Sequence, residues 1–275
     1  MASPKDVTIH PTASVHPRAE LEAGVWIGPG CVVGEHVRIG RATRLEAHVV
    51  IDGWTTIGAE NVFSPYSAIG GPPQDIGYDN DETRVVIGDR NLFREFITVH
   101  RATTKEERVT AVGDDGYFMA YAHIGHDCRI GNGVILTNGA TLGGHVHIGD
   151  RANLSAFVGI HQFCKIGRFA FVGGYSVITQ DILPFAKVVG QRPPRVFGMN
   201  IVGLRRNGFS KERIAAIKQI YDLFFYSGLN TAQALDAIRA QCPGGEDREE
   251  ILAFIAASKR GLIKKTAETW ESGSD

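Results

Sequence analysis

A chain of 275 residues, 43% hydrophobic with 33 glycines, is long enough for one large body and a small appended unit. Its formal charge of −1 gives no strongly basic surface for nucleic acid. No apolar run reaches the length of a membrane span, and the opening MASPKDVTIHPTA lacks the apolar core of a secretory signal, so a cytoplasmic protein without stable membrane insertion is expected.

From Ile9 onward every sixth residue is apolar: Val15, Leu21, Ile27, Val33, Ile39, Leu45, Ile51, Ile57, Phe63 and Ile69 keep step. A second run goes from Val112 through Phe118, Ile124, Ile130 and Leu136 to Ile178, and Ile87, Phe93 and Val99 bridge the two. A period of six fits neither an α-helix nor a simple strand, and points to a hexapeptide parallel β-helix. The apolar residue faces inward, and the Gly, Asn or Asp that often follows is expected to take the corner with positive φ. With three hexads to a coil, 18 residues separate neighbours in the stack, whose spacing is roughly 4.8 Å. Each inward side chain contributes roughly 1.5–3 kcal/mol, so a coil is stable only within its stack.

The step fails twice. Between Ile69 and Ile87 the in-phase positions are Asp75 and Asp81, which an apolar core cannot hold unpaired. Between Val99 and Val112 there is one residue too many, in the polar stretch RATTKEERVT. Both segments are expected to leave the coil, and such excursions often collect on a binding face.

After Ile178 the period stops, and Pro184, Pro193 and Pro194 mark an exit. From Ser210 the pattern is helical, with Ile214, Ile217, Tyr221 and Phe224 on one face. Thr231 is placed to cap a second helix bearing Leu235 and Ile238. Pro243-Gly244-Gly245 breaks it before a third with Ile251, Leu252, Phe254 and Ile255. The organisation expected is a solenoid over 1–190 and a helical unit over 191–275.

The four cysteines, Cys31, Cys128, Cys164 and Cys242, form no CxxC pair, which speaks against a disulfide frame or a structural zinc site. Of the ten histidines, His10, His16, His36 and His48 read as surface residues of the coil. A second set is denser: His123 and His126 in HIGHDC, His145 in GGH, and His161 beside Gln162 in HQFC. The 18-residue period puts His126, Gly144 and Gln162 in one column, with His145 and His161 flanking it.

Such a wall suits metal binding or acyl transfer. Some hexapeptide proteins of the γ-carbonic anhydrase type bind zinc through three histidines, but their close pair is spaced unlike His123 and His126. Asp127, by strand alternation, is expected on the other face. A neutral imidazole is a competent base near pH 7, and a glycine amide can hold a developing oxyanion at close approach. Neither step needs a nucleophilic cysteine or a metal.

The blocks HIGHDCRIGN, TLGGHVHIGD, VGIHQFCKIG and GLRRNGFS, in this order, resemble the acyl-carrier-protein:UDP-N-acetylglucosamine 3-O-acyltransferases of lipid A biosynthesis over nearly the whole chain. The resemblance implies an all-β left-handed parallel β-helix with a C-terminal α-helical domain. It also implies a cytoplasmic homotrimer with active sites between subunits, and no metal or cofactor. The acyl donor carries its phosphopantetheine on acyl carrier protein, and the acceptor is a UDP-sugar. The family's base falls on His126, its oxyanion amide on Gly144, and its supporting imidazoles on His123, His145 and His161. Gln162 matches a position near the acyl-phosphopantetheine and sugar, and Asp75 a sugar contact. Arg206 matches a phosphate contact, with Arg205 beside it, and Asn200 a neighbouring contact. Gly174 matches the end of the acyl pocket, where a small residue admits a longer 3-hydroxyacyl chain. Lys211, Arg213 and Arg168 offer a basic patch for the acidic carrier protein.

Two departures remove positive charge: Gly77 stands where many members have Lys, and Asn207 where many have a second Arg. FREF and the stretch from Tyr117 to Cys128 also resemble members that acylate a 3-amino sugar nucleotide, so the acceptor is oxygen or nitrogen. The related N-acyltransferase carries a further N-terminal domain, whereas here the repeat begins by Ile9. A scaffolding β-helix would need no histidine column.

Overall fold

The computed structural model describes residues 6–264. The terminal residues of both expected units, 1–5 and 265–275, lie outside the described residues. Short strands assemble into three parallel sheets, the faces of a β-helix that begin with Thr8–Ile9, Ser14–Val15 and Glu20–Leu21. The expected register holds: Thr8 pairs with Trp26, Ser14 with Val32, and Glu20 with Arg38. Where the chain makes excursions the partner moves outward, so that Val62 pairs with Leu92 and Leu92 with Tyr117. Neither excursion has a strand of its own; one runs from Gly71 to Arg84, the other from His100 to Val109.

The inward positions form one continuous core from Ile27 to Ile178. Within it Phe63, Phe93 and Phe118 stack face to face, with centroids 4.6 and 4.8 Å apart. Ile9, on the first described coil, is 45% exposed because a coil at the end of the stack has a neighbour on one side only.

Glycine's part in the coil differs from the expectation. Gly70 (81°) fits it, but along most of the coil positive φ falls three residues after the inward residue, as at Ala42 (55°), Tyr121 (62°) and His145 (62°). The glycine next to the inward residue is needed for close stacking instead. A Cβ on Gly28 would meet Glu46 O at 2.4 Å, and one on Gly167 would meet Pro184 N at 2.2 Å. At the corner between the third and first faces an Asx ladder climbs the stack: the Asp89 side chain accepts from Ala59 N–H, Asp114 from Asp89, Asn132 from Asp114, and Asp150 from Asn132. It satisfies turn amides that would otherwise lack partners.

The first face continues past residue 190. Ala186–Val189 adds in parallel, and Arg195–Met199 then pairs antiparallel with it. Four helices follow: α1 (Ile201–Arg206), α2 (Lys211–Phe225), α3 (Thr231–Gln241) and α4 (Glu246–Ala256). α1 was not expected from the sequence, and the cap of α3 is Asn230 rather than Thr231, in a reciprocal capping box with Gln233. Tyr221, fully buried on α2, donates its hydroxyl to Pro184 O at 2.5 Å. Asp181 is also buried, and accepts from Lys165 N–H at 2.7 Å and from the Ser258 hydroxyl at 2.6 Å. No helix among the described residues is long and apolar enough to cross a membrane.

The expected basic patch is largely neutralised. Arg168 pairs with Asp247 at 2.6 Å and with Glu250, and Arg213 makes two bonds to the same Asp247, at 2.6 and 2.8 Å. Arg168 holds α4 against the solenoid and Arg213 holds it against α2, rather than standing free for a partner.

Candidate active site

The strand His123–Ile124 ends the second face, and the chain turns through His126 and Asp127 before Arg129–Ile130 opens the third. Asp127 has φ 59°, so the alternation of an extended strand fails here. Its carboxylate lies on the same side as His126, not on the opposite face as expected. Asp127 Oδ2 is 2.8 Å from His126 Nδ1, and accepts from Thr103 N–H at 3.0 Å and the Thr103 hydroxyl at 2.8 Å. Burial alone would push this carboxyl up; the bonds from His126 and Thr103, with His145 nearby, outweigh it and hold the group below its ordinary range. The fixed carboxylate directs His126 to carry its proton on Nδ1, which leaves Nε2 as the basic atom.

The column predicted from the period is present. His123 pairs across to Thr141 and Thr141 to Gly159, which sets His126, Gly144 and Gln162 on successive coils. His126 lies against Gly144 so closely that an added Cβ would come 2.3 Å from its ring. Gly144 is buried, and its N–H has no acceptor among the described residues. Gln162 is exposed at the far end of the column.

The other histidines divide. His145 is buried edge-on against the His126 ring at 5.1 Å and stacked on Phe163 at 4.4 Å. Its Nε2 is 3.7 Å from Asp127 Oδ2, and Glu106 Oε1 lies 3.3 Å from Nδ1, off the line of a hydrogen bond. His123 Nδ1 is 2.7 Å from the Thr98 hydroxyl. Burial, then the neighbouring His100 and His126, push His123 down to about 4, so it is neutral. His100, missed in the sequence, meets His123 edge-on at 5.0 Å. His161 turns away to the C-terminal segment, where Arg260 donates to its Nδ1 at 3.3 Å.

Both excursions leave the coil at the corner that bears His126. From the first, Asp75 accepts from Gly77 N–H at 2.9 Å. From the second, Lys105 Nζ reaches Asp75 Oδ2 at 2.5 Å. The Lys105 and Gly77 bonds hold the Asp75 carboxyl below the usual range, and His126 adds a weaker attraction. Tyr78 binds the two loops together, accepting from Arg101 Nε at 2.9 Å. The positive charge absent at Gly77 is thus supplied from the other loop.

The remaining predicted residues sit elsewhere on the chain. Asn200 and Arg206 line a groove of about 360 Å³ on the first face, with Phe171, Lys187 and Phe197. Asn200 caps α1, accepting from Gly203 N–H at 3.1 Å and donating to Phe169 O at 2.9 Å. Arg205 and Arg206 are exposed and have no acidic partner among the described residues. Asn207 accepts from Arg151 at 3.1 Å, so a guanidinium stands beside this substitution too. Gly174 lies at the corner between the first and second faces, exposed beside the stacked Phe157 and Tyr175. Within one chain, therefore, the base, the arginine groove and Gly174 lie at three different places.

All four cysteines are buried, and burial pushes Cys128 up to about 12 and Cys164 up to about 11, far from a nucleophilic thiolate at neutral pH. His126, Asp127 and His145 bring donor atoms within 4.8 Å of one another, near enough for a small cation, although Asp127 Oδ2 already accepts three hydrogen bonds.

A base held by a carboxylate, next to an unpaired glycine amide, is equipped for proton abstraction and oxyanion binding. Residues 6–41 and 110–144 match the family described as bacterial transferase hexapeptide (six repeats), and residues 181–263 match the UDP N-acetylglucosamine O-acyltransferase domain 2. The acyl-[acyl-carrier-protein]–UDP-N-acetylglucosamine O-acyltransferase of Syntrophobacter fumaroxidans is 49% identical over 93% of this chain and 99% of its own length. That of Thermodesulfovibrio yellowstonii is 44% identical over the same shares. Among solved structures, the UDP-N-acetylglucosamine acyltransferase of Francisella novicida superposes with a TM-score of 0.92 at 37% identity, over 98% of this chain and all of that one. The Bacteroides fragilis enzyme gives 0.90 at 38%, over 93% and 100%. With this similarity along nearly its whole length, the chain belongs to the acyl-[acyl-carrier-protein]–UDP-N-acetylglucosamine O-acyltransferase family.

Proposed function

We propose that this protein transfers an (R)-3-hydroxyacyl group from acyl carrier protein to the 3-hydroxyl of UDP-N-acetylglucosamine, the first step of lipid A biosynthesis. The observation that carries the mechanism is the 2.8 Å bond from His126 Nδ1 to Asp127. With Nδ1 protonated, Nε2 takes the proton of the 3-hydroxyl as that oxygen attacks the thioester carbonyl. The oxyanion of the tetrahedral intermediate is received by Gly144 N–H. The intermediate then collapses, the carbon–sulfur bond breaks, and His126 returns its proton to the phosphopantetheine thiolate.

In this reading His123 and His145 shape the pocket around the base. Asp75 contacts the sugar, Arg206 with Arg205 takes the diphosphate, and Gly174 ends the acyl pocket. The separation of these groups along one chain supports a homotrimer whose clefts join the base of one copy to groups of another. The same reading includes left-handed winding of the coil, a cytoplasmic setting, and no cofactor beyond the phosphopantetheine of the donor. The Lys105–Asp75 pair favours an uncharged acceptor over a 3-ammonium sugar.

The test is turnover of 3-hydroxyacyl-acyl carrier protein with UDP-N-acetylglucosamine. Activity that is lost in His126→Ala, with the oligomer intact, supports the reading. No turnover by the unaltered protein, or full activity in the variant, would sink it.

A further inference from the structure

The second excursion, residues 101–108, is polar and out of step with the repeat, and although residues 104–108 are exposed, several of its side chains reach partners. Thr103 bonds to Asp127, Lys105 to Asp75, Glu106 approaches His145, and Glu107 pairs with Arg129 at 2.6 Å. Three of these four partners belong to the site. The loop therefore borders the candidate site rather than serving only as a connection.

Within it Lys105 is distinctive. Its ammonium meets Asp75 Oδ2 at 2.5 Å while Gly77 N–H occupies Oδ1, so both oxygens of this loop carboxylate are engaged. A bare carboxylate at this mouth would attract a cation. The same carboxylate with an ammonium already on it presents no net charge, and the ammonium repels a second one. Its hydroxyl-accepting lone pairs remain, because each carboxylate oxygen can accept more than one bond.

We propose that Lys105 selects the charge of the acceptor: by neutralising Asp75 it favours a sugar nucleotide with an uncharged 3-hydroxyl and disfavours one with a 3-ammonium group. The inference rests on the acyltransferase reading above, in which the acceptor sugar lies between Asp75 and His126. Lys105 acts through Asp75 and is a positioning residue, not a catalytic one. Its side chain is 58% exposed, so substitution leaves the coil unstrained.

The experiment uses the full chain and three variants: Lys105→Ala, Lys105→Gln and Lys105→Arg. Each is assayed with one acyl carrier protein thioester and two acceptors, UDP-N-acetylglucosamine and its 3-amino analogue, at a pH where the amine is protonated. The readout is the ratio of kcat/KM for amine over hydroxyl. The unaltered protein is expected to favour the hydroxyl. Lys105→Ala and Lys105→Gln raise the ratio about tenfold, a modest change because the pair is partly exposed and screened, and Lys105→Arg restores it. A ratio within twofold of the unaltered protein in both neutral variants overturns the proposal, as does an unaltered protein that prefers the amine. Turnover of neither acceptor by the unaltered protein overturns the acyltransferase reading and this inference together, which separates the two failures.

Discussion

His126 Nδ1 and Asp127 Oδ2 lie 2.8 Å apart although the residues are adjacent, because φ of 59° at Asp127 swings its carboxylate back beside the preceding ring. In Asp127→Asn an amide replaces the acceptor and can donate to Nδ1, which moves the imidazole proton to Nε2 and removes the base. We expect kcat to fall on the order of 10²–10⁴-fold, with little change in KM for the sugar nucleotide. Steady-state kinetics decide it, and an unchanged kcat would show that the carboxylate does not set the tautomer.

Gly144→Ala would place a methyl group 2.3 Å from the His126 ring, so the ring must rotate away from the amide. The three atoms nearest the added methyl all belong to that ring, a movable side chain rather than backbone. Activity should drop at least tenfold while the far-ultraviolet dichroism and melting temperature stay close to those of the unaltered protein.

At Gly174, an exposed position, an added Cβ meets Ala156 O at 3.2 Å, a tight contact that a shift of a few tenths of an ångström relieves, and Ser155 Cβ next at 3.9 Å. Gly174→Met should fold normally and shift preference to shorter acyl chains. Competition between carrier-protein thioesters of different length measures this, and an unaltered preference would remove Gly174 from the pocket.

Stability should depend on pH through His123. Its ordinary value near 6.5 falls to about 4 in the fold, chiefly by burial. Between these values the unfolded chain binds a proton that the folded chain does not. The contribution of His123 is therefore complete above pH 6.5 and is lost as pH falls through 4, by up to about 3 kcal/mol. Urea midpoints at pH 7.5 and 4.5 should fall further for the unaltered protein than for His123→Gln.

The six-residue step identified one inward residue per hexad from Ile27 to Ile178, and the column of His126, Gly144 and Gln162 followed from it; the second buried residue of each hexad, two positions earlier as at Val25, Cys31 and Val37, was not read. The period was legible because each coil buries the same position. Asp127 was misplaced, since a left-handed residue obeys no alternation. Thr103, Lys105 and Glu106 lie on a segment without a period, where only folding brings them to the site. Arg206 and Gly174 could not be positioned relative to His126, because the period relates residues on one face and says nothing across corners. The six-residue α1 is too short to show a helical repeat.

The antiparallel strand Arg195–Met199 has a consequence for assembly. A stack of parallel rungs is in principle open-ended: its last rung offers the same template as every rung before it, to its own chain or to a stranger. Here the last strand of the first face runs backwards, and Leu262 bridges to Asp181 as the chain returns across that end. A further rung of the original sense finds no matching edge on that face, so the solenoid ends by reversing direction, and filament growth from that end is blocked by the chain itself.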